Sequence, residues 1–295
     1  MTTTATRPKM LVIGARGFLG AHLMRASASL YDVVGGNRVS TAPRGVPIDI
    51  TRESSVDSAF QVTRPDVVLL LAALSDIDQC ETDQKHAYVV NVIGAKHVAN
   101  ACARTQCRLL FTSSAAVFDG CKHGYTEDDL VSPINFYGQT KAMAETTILG
   151  IVPSAVIVRI ALAIGFALTK GTNSLLDGLA ERWALGESVE MLTFEYRNPI
   201  DAVTLSEFIL RLLNNDAQGV FHVGAKDPIS RYELGMKLGN RMNYSGRVLP
   251  QAVLKPGRAP RGSDHFLMTN KIEAFCSMPV PTSEQVIERC FDGIA

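Results

Sequence analysis

The chain has 295 residues, enough for one large α/β domain or one domain with a smaller appended lobe. Hydrophobic residues make up 46% and charged residues 20%, and the 29 acids balance 29 bases, so no net field draws the chain to nucleic acid or to a membrane surface. The six cysteines are scattered, with no Cys-x-x-Cys and no His pair at ligand spacing, which points to reduced core thiols rather than disulfides or a metal site.

Met1 to Pro8 lacks an apolar signal region and reads as a structureless tail. The longest apolar run, Val67 to Leu74, is too short to span a bilayer. A cytoplasmic protein is expected.

Lys9 to Gly14 is a short apolar run ending in glycine, the pattern of a buried parallel strand. It leads into Gly14-Ala-Arg16-Gly17-Phe18-Leu19-Gly20 and then a helical stretch, Ala21 to Leu30. Strand, Gly-x-x-Gly-x-x-Gly and helix come in the order a phosphate cradle needs: Gly14 for the tight turn, Gly17 for close approach to a pyrophosphate, and Gly20 for helix packing. A second strand, Tyr31 to Asn37, ends in Asn37-Arg38 where an acidic residue would favour NAD. With Arg16 in the glycine loop, two guanidinium groups and no carboxylate suit the 2′-phosphate of NADP(H), unless both arginines are simply solvated.

Pro47 to Ile50 reads as a strand, Glu53 to Thr63 as a helix, and Val67 to Leu71 as a strand ending in Ala72-Ala73, small residues against which a cofactor can lie. Asp49 offers an acceptor to an adenine amino group or a cap to its own turn. Ala87 to Thr105 has apolar residues at helical spacings and is expected as a largely buried helix, with the amide of Asn91 in need of partners. That helix could also pair across a two-fold axis to make a homodimer, although burial within one chain explains it equally well. A fifth strand, Leu109 to Thr112, runs into Ser113-Ser114; serines there face the ligand crevice of an open sheet, or merely form a turn.

Asn135 to Glu145 reads Asn-Phe-Tyr-Gly-Gln-Thr-Lys-Ala-Met-Ala-Glu. Tyr137 and Lys141 stand one helical turn apart, so a cation can reach toward a phenol that otherwise titrates near ~10. Such a pair can move a proton to or from a carbonyl or alcohol; alone, the spacing fits an ordinary amphipathic helix as well. A sixth strand, Ala155 to Ile160, completes the strand–helix alternation of a doubly wound parallel sheet.

Beyond Gly165 the regularity fades. Helices are expected at Leu175 to Leu185, Ala202 to Asn214 and Ser230 to Gly239, strands at Val189 to Leu192 and Gly219 to Val223, and a basic loop at Arg258 to Asp264. The fold class is therefore α/β, a Rossmann sheet with a smaller C-terminal lobe. Residues 1–165 would hold the cofactor and residues 166–295 mainly the substrate, with elements free to return to the sheet. Late-loop arginines, Arg261 first and then Arg197 and Arg258, suit a substrate diphosphate. His22, His265 and Trp183 read as packing or loop residues.

Taken together, the glycine loop, Ser-Ser after the fifth strand and Tyr-Gly-Gln-Thr-Lys resemble the extended short-chain dehydrogenase/reductases over nearly the whole chain. Within them the chain looks most like the dTDP-4-dehydrorhamnose reductase branch, through Asp49-Ile-Thr, Leu71-Ala-Ala-Leu-Ser-Asp-Ile-Asp-Gln-Cys-Glu81, Tyr125-x-Glu127, Pro133-x-Asn-x-Tyr137-Gly, Arg197-Asn-Pro-Ile200 and Arg261-Gly-Ser-Asp264. The resemblance implies a catalytic set of Ser114, Tyr137, Lys141 and the supporting amide Asn91. Ser114 would polarise the carbonyl, Tyr137 donate the proton, and Lys141 hold the nicotinamide ribose and depress the Tyr137 pKa. Gly14, Gly17 and Gly20, with Phe18 and Leu19, would cradle the pyrophosphate. Asn37 and Arg38 would meet the ribose, Asp49 and Ile50 flank adenine, and Leu71, Ala72 and Ala73 line the path to the nicotinamide. Ser75, Ser114, Arg197 and Arg261 would meet substrate.

The implied activity is NADP(H)-dependent reduction of a keto group on a nucleotide-linked 4-keto-6-deoxysugar. The same residues could run a redox-neutral epimerisation or dehydration, or the chain could be a non-catalytic regulatory subunit. One departure bears on the substrate: Ala115 and Ala116 stand where rhamnose-forming members carry Asp-Tyr.

Overall fold

The computed structural model describes residues 7–39, 44–244 and 247–292. The expected tail at Met1 to Pro8 lies mostly outside them. Seven parallel strands form the central sheet: β1 (Lys9–Ile13), β2 (Asp32–Asn37), β3 (Gly45–Pro47), β4 (Val67–Leu70), β5 (Arg108–Ser114), β6 (Val156–Ile160) and β7 (Gly219–Val223). Their spatial order is β7-β6-β5-β4-β1-β2-β3. The order reverses between β1 and β4, and ligands of such sheets bind beyond the carboxyl ends of the strands at that point.

The strands are apolar throughout because both faces are covered. Along β1, Met10 and Val12 enter one core with Leu23, Leu205 and Phe208, whereas Leu11 and Ile13 enter the other with Phe60, Val98 and Phe111. Trp183 belongs to the first core, 1% exposed, as packing predicts. No described helix is long and apolar enough to cross a membrane.

Several elements differ from the sequence expectation. The third strand ends at Pro47 rather than Ile50. Ile48 N still donates to Asn37 O; the Asp49 carboxylate then accepts from Thr51 N and Oγ1 and the Asp49 carbonyl from Arg52 N, which turns the chain out of the sheet. The first helix spans Phe18–Ser27, starting and ending three residues early. Ser113 and Ser114 lie inside β5, opposite Arg159 and Ile160 of β6. The expected helix at Ala87 starts instead at Gln84, under an Asp83 cap, and its Val89–Ile93 turn is a π-helix that carries Asn91. Short helices at Ile77–Thr82, Asn270–Cys276 and Ser283–Arg289 had no sequence counterpart.

The later half of the chain is interleaved with the sheet. β7 adds to β6 in parallel register. Three two-stranded pairs build outward from there: Leu162–Ile164 with Pro199–Asp201, Tyr196–Arg197 with Ile229–Ser230, and Val189–Leu192 with Val248–Gln251. The second pair brings Arg197 and the start of the Arg231–Arg241 helix together.

Candidate active site

A cleft of about 730 Å³ lies along the carboxyl ends of the strands. Every residue expected to bind cofactor lines it except Arg16, and every expected catalytic residue except Asn91. Arg16 is exposed, and only its backbone N–H takes part locally, donating to Asn37 Oδ1 at 2.9 Å. Arg38, by contrast, lines the cleft. Asp49 lines the cleft, with one carboxylate oxygen held by Thr51. That bond, ahead of the opposing effect of burial, keeps its pKa below the usual carboxylate range.

The glycine loop is sterically fixed. Gly14 sits at φ +94°, and a Cβ on Gly20 would stand 2.1 Å from the Gly14 carbonyl oxygen. No side chain caps the Phe18–Ser27 helix and its first turn holds no acidic residue, so its leading N–H groups remain available to an anion. On the other wall, the Ser113 hydroxyl is buried in the cleft lining without a hydrogen-bond partner. An orphaned donor, a free helix start and a glycine cradle fit a bound dinucleotide.

Tyr137 and Lys141 lie on the helix Phe136–Ile151, which starts at Asn135. The Asn135 Oδ1 accepts from Gly138 N at 2.9 Å and its Nδ2 donates to Pro260 O at 3.0 Å, tying the helix start to the basic loop. Gly138 is required: a Cβ there would lie 2.0 Å from the Ala116 carbonyl oxygen. Asn91 braces the same helix from behind. It accepts from Leu74 N (2.8 Å), donates to Leu74 O and Thr140 Oγ1 (both 3.0 Å), and Thr140 in turn donates to the Tyr137 carbonyl (2.7 Å). Asn91 thus positions the site without lining it, and a π-turn is where such a side chain can be re-aimed.

The electrostatics differ from the sequence expectation. Burial pushes the Tyr137 phenol up to about 12, and a hydrogen bond to Ser114 acts the other way. Lys141 does not lower it here. Its Nζ donates to Thr112 O at 2.8 Å and stands 4.4 Å over the Phe111 ring. Burial brings Lys141 itself down to about 8, against the pull of the Glu145 carboxylate.

Ser75 and Ser114 line the cleft, but Arg197 and Arg261 do not. Arg261 pairs with Asp78, as does Arg258, and Arg197 pairs with Glu195. Ala115 and Ala116, which directly follow Ser114, lie outside the lining. His265 is buried with Nε2 3.1 Å from Phe118 O, and His22 Nε2 lies 3.0 Å from Phe166 O, so both are packing residues. Sequence reasoning missed Asn173, Leu175 and Arg231, which close the cleft from the later half of the chain.

The family described as "RmlD substrate binding domain" matches residues 8–295. A dTDP-4-keto-6-deoxy-D-glucose reductase of Streptomyces niveus is 31% identical over 245 residues, 82% of each chain. The methionine adenosyltransferase 2 subunit beta of Xenopus laevis is 25% identical over 283 residues, 92% of this chain and 83% of that protein. Among solved structures, a dTDP-4-dehydrorhamnose reductase of Bacillus anthracis in complex with NADP superposes with a TM-score of 0.88 at 26% identity, covering 97% of this chain and 99% of that one.

Proposed function

We propose that this chain, which belongs to the RmlD substrate binding domain family and so to the NAD(P)-dependent extended short-chain dehydrogenase/reductases, reduces the keto group of a nucleotide-linked 4-keto-6-deoxysugar with NADPH. The observation that carries this reading is the meeting of Ser114, Tyr137 and Lys141 in the same cleft as the glycine loop. Residues 1–165 supply the cofactor half and these three side chains. Residues 166–295 mainly supply the substrate side, apart from β7.

The nicotinamide, when bound, supplies the hydride. Ser114 holds the carbonyl oxygen from the end of β5, and Tyr137 gives that oxygen its proton as negative charge develops. Lys141 contributes a buried positive charge to the cleft, where it would hold the cofactor's ribose, and Asn91 keeps the helix in register with the Leu74 loop. Purified protein with NADPH and a panel of dTDP-linked 4-keto-6-deoxysugars tests the reading; no NADPH oxidation with any of them overturns it. The methionine adenosyltransferase relative raises a second reading, a non-catalytic regulatory subunit, and the presence of Ser114, Tyr137 and Lys141 together favours catalysis over it.

Two further outcomes are expected. Arg38→Ser removes the cation facing a 2′-phosphate, so KM for NADPH rises roughly 10- to 100-fold while KM for NADH barely moves, the size expected for a charge-assisted hydrogen bond. Equal effects on both cofactors would refute that role. The pH profile follows Lys141, whose ammonium form is present below about 8 and lost above it. The kcat/KM for reduction should therefore fall as pH rises through about 8, and a flat profile to pH values well above that argues against a charged Lys141 in the reaction.

A further inference from the structure

The Leu71 to Glu81 stretch ends in a short helix, Ile77–Thr82, capped by the Asp76 carboxylate, which accepts from Gln79 N at 2.9 Å. Ile77 lines the cleft, and Cys80, three residues on, is fully buried with Sγ 3.4 Å from Leu74 O. The adjoining face carries Asp78 and Glu81, again three residues apart. Asp78 holds the basic loop: its carboxylate accepts from Ala259 N at 2.8 Å and from both Arg261 Nη atoms at 3.1 Å. Glu81 Oε2 accepts from Phe136 N at 2.9 Å, across 55 residues of chain. Glu81 is half-buried, and among the described residues it makes no ion pair and no other hydrogen bond.

Phe136 is the first residue of the helix that carries Tyr137, and a helix leaves its leading N–H groups without partners of its own. Here Asn135 Oδ1 takes Gly138 N and Glu81 takes Phe136 N. A carboxylate suits that end: donation to a charged oxygen is stronger than to a neutral one, and negative charge is favoured beside the positive end of a helix dipole. The contacts close a ring. Asp78 takes Ala259 N, the neighbouring Pro260 O accepts from Asn135 Nδ2 at 3.0 Å, Asn135 leads into Phe136, and Phe136 N returns to Glu81. The backbone just before Tyr137 is thus tied at two successive residues, while the Tyr137 carbonyl is held from the other side by Thr140 Oγ1 at 2.7 Å. We propose that Glu81 is a positioning residue for Tyr137: through the Phe136 N–H it fixes where the helix starts, and so where the phenol stands in the cleft. The reaction that this placement serves rests on the reductase reading above.

The test compares Glu81→Ala, Glu81→Asp and Glu81→Gln with the native protein. With a keto-sugar that is turned over, Glu81→Ala should lower kcat roughly 10- to 100-fold, the cost of a small misplacement, while KM for NADPH stays within about twofold. Glu81→Asp, one methylene too short, should behave as Glu81→Ala. Glu81→Gln keeps an acceptor oxygen at full reach and should stay within about threefold of native. In a Tyr137→Phe background Glu81→Ala should cost less than about twofold, because a residue that acts through the phenol has nothing further to lose there. Equal losses in both backgrounds, or native kcat in Glu81→Ala, overturn the proposal and leave the reductase reading standing. The phenol is also read without turnover, in NADPH-loaded protein with 13Cζ-labelled tyrosine and the Tyr137 resonance assigned from Tyr137→Phe. That resonance should move in Glu81→Ala and Glu81→Asp and coincide with native in Glu81→Gln. Should no keto-sugar be reduced while this pattern holds, the reductase reading falls and the positioning role stands. A native resonance in Glu81→Ala overturns the role whatever the substrate. If Glu81→Ala fails to fold, Glu81→Asp carries the comparison, and native kcat or a native resonance in it likewise overturns the proposal.

Discussion

Tyr137→Phe is expected to lower kcat by about 10²- to 10⁴-fold, the usual contribution of a positioned general acid, with NADPH affinity and thermal stability unchanged. The substitution removes one oxygen and keeps the ring, so packing on the Phe136–Ile151 helix survives. At about 12, the phenol is fully protonated at neutral pH and cannot act there as a base. It is still several units more acidic than a water-like hydroxyl at about 15.7, so transfer to an oxygen acquiring alkoxide character runs downhill. On the reading proposed above, Tyr137 would give up its proton as charge develops on the substrate oxygen rather than before. Ser114 Oγ, which accepts from Ala116 N at 3.1 Å, lines the same cleft as the phenol and is expected to share the substrate oxygen with it. Single-turnover NADPH oxidation would measure the effect. A Tyr137→Phe protein within tenfold of native would remove Tyr137 from the mechanism and revive the regulatory-subunit reading.

The parts of this site visible in the sequence are those set by local spacing. Gly14, Gly17 and Gly20 follow a strand and open a helix, and Tyr137 and Lys141 share a helical face, so neither needs tertiary contacts to be recognised. Seven strands were placed within a few residues for the same reason: burial on both faces leaves an apolar run. What sequence could not show was which charges meet. Asp78 and Arg261 are 183 residues apart, and their pairing holds a candidate substrate ligand outside the cleft lining. Arg231 follows a two-residue strand whose only partner among the described residues is Tyr196–Arg197, a pairing too short to leave a period. The end of the third strand at Pro47 was hidden similarly, because Ile48 and Ile50 are buried beyond the ladder and keep an apolar pattern going.

The helix that carries Tyr137 and Lys141 continues its face to Glu145, and there the second large effect is expected. Glu145 and Arg159 are both about 5% exposed or less, with Arg159 Nε 3.0 and 3.2 Å and Nη2 2.7 Å from the carboxylate. Arg159 also lies 5.1 Å over the Phe118 ring, with Nη1 3.4 Å from His222 Nε2. Burial and then the Arg159 charge hold His222 down at about 3, so the imidazole stays neutral and cannot replace the lost carboxylate. Glu145→Gln would leave an uncompensated buried guanidinium, a loss of about 3–5 kcal/mol. In a chain of this size that is a fall in Tm on the order of 10 °C. Removing the carboxylate also removes the group that raises the Lys141 pKa, so the alkaline limb of kcat/KM should move below about 8. Replacing both partners, Glu145→Leu with Arg159→Met, should recover most of the stability because no charge is then stranded. The double variant should keep the shifted pH limb, since Lys141 still lacks its carboxylate. Recovery of stability together with recovery of the native pH limb would mean that Glu145 acts on the fold alone and does not tune Lys141.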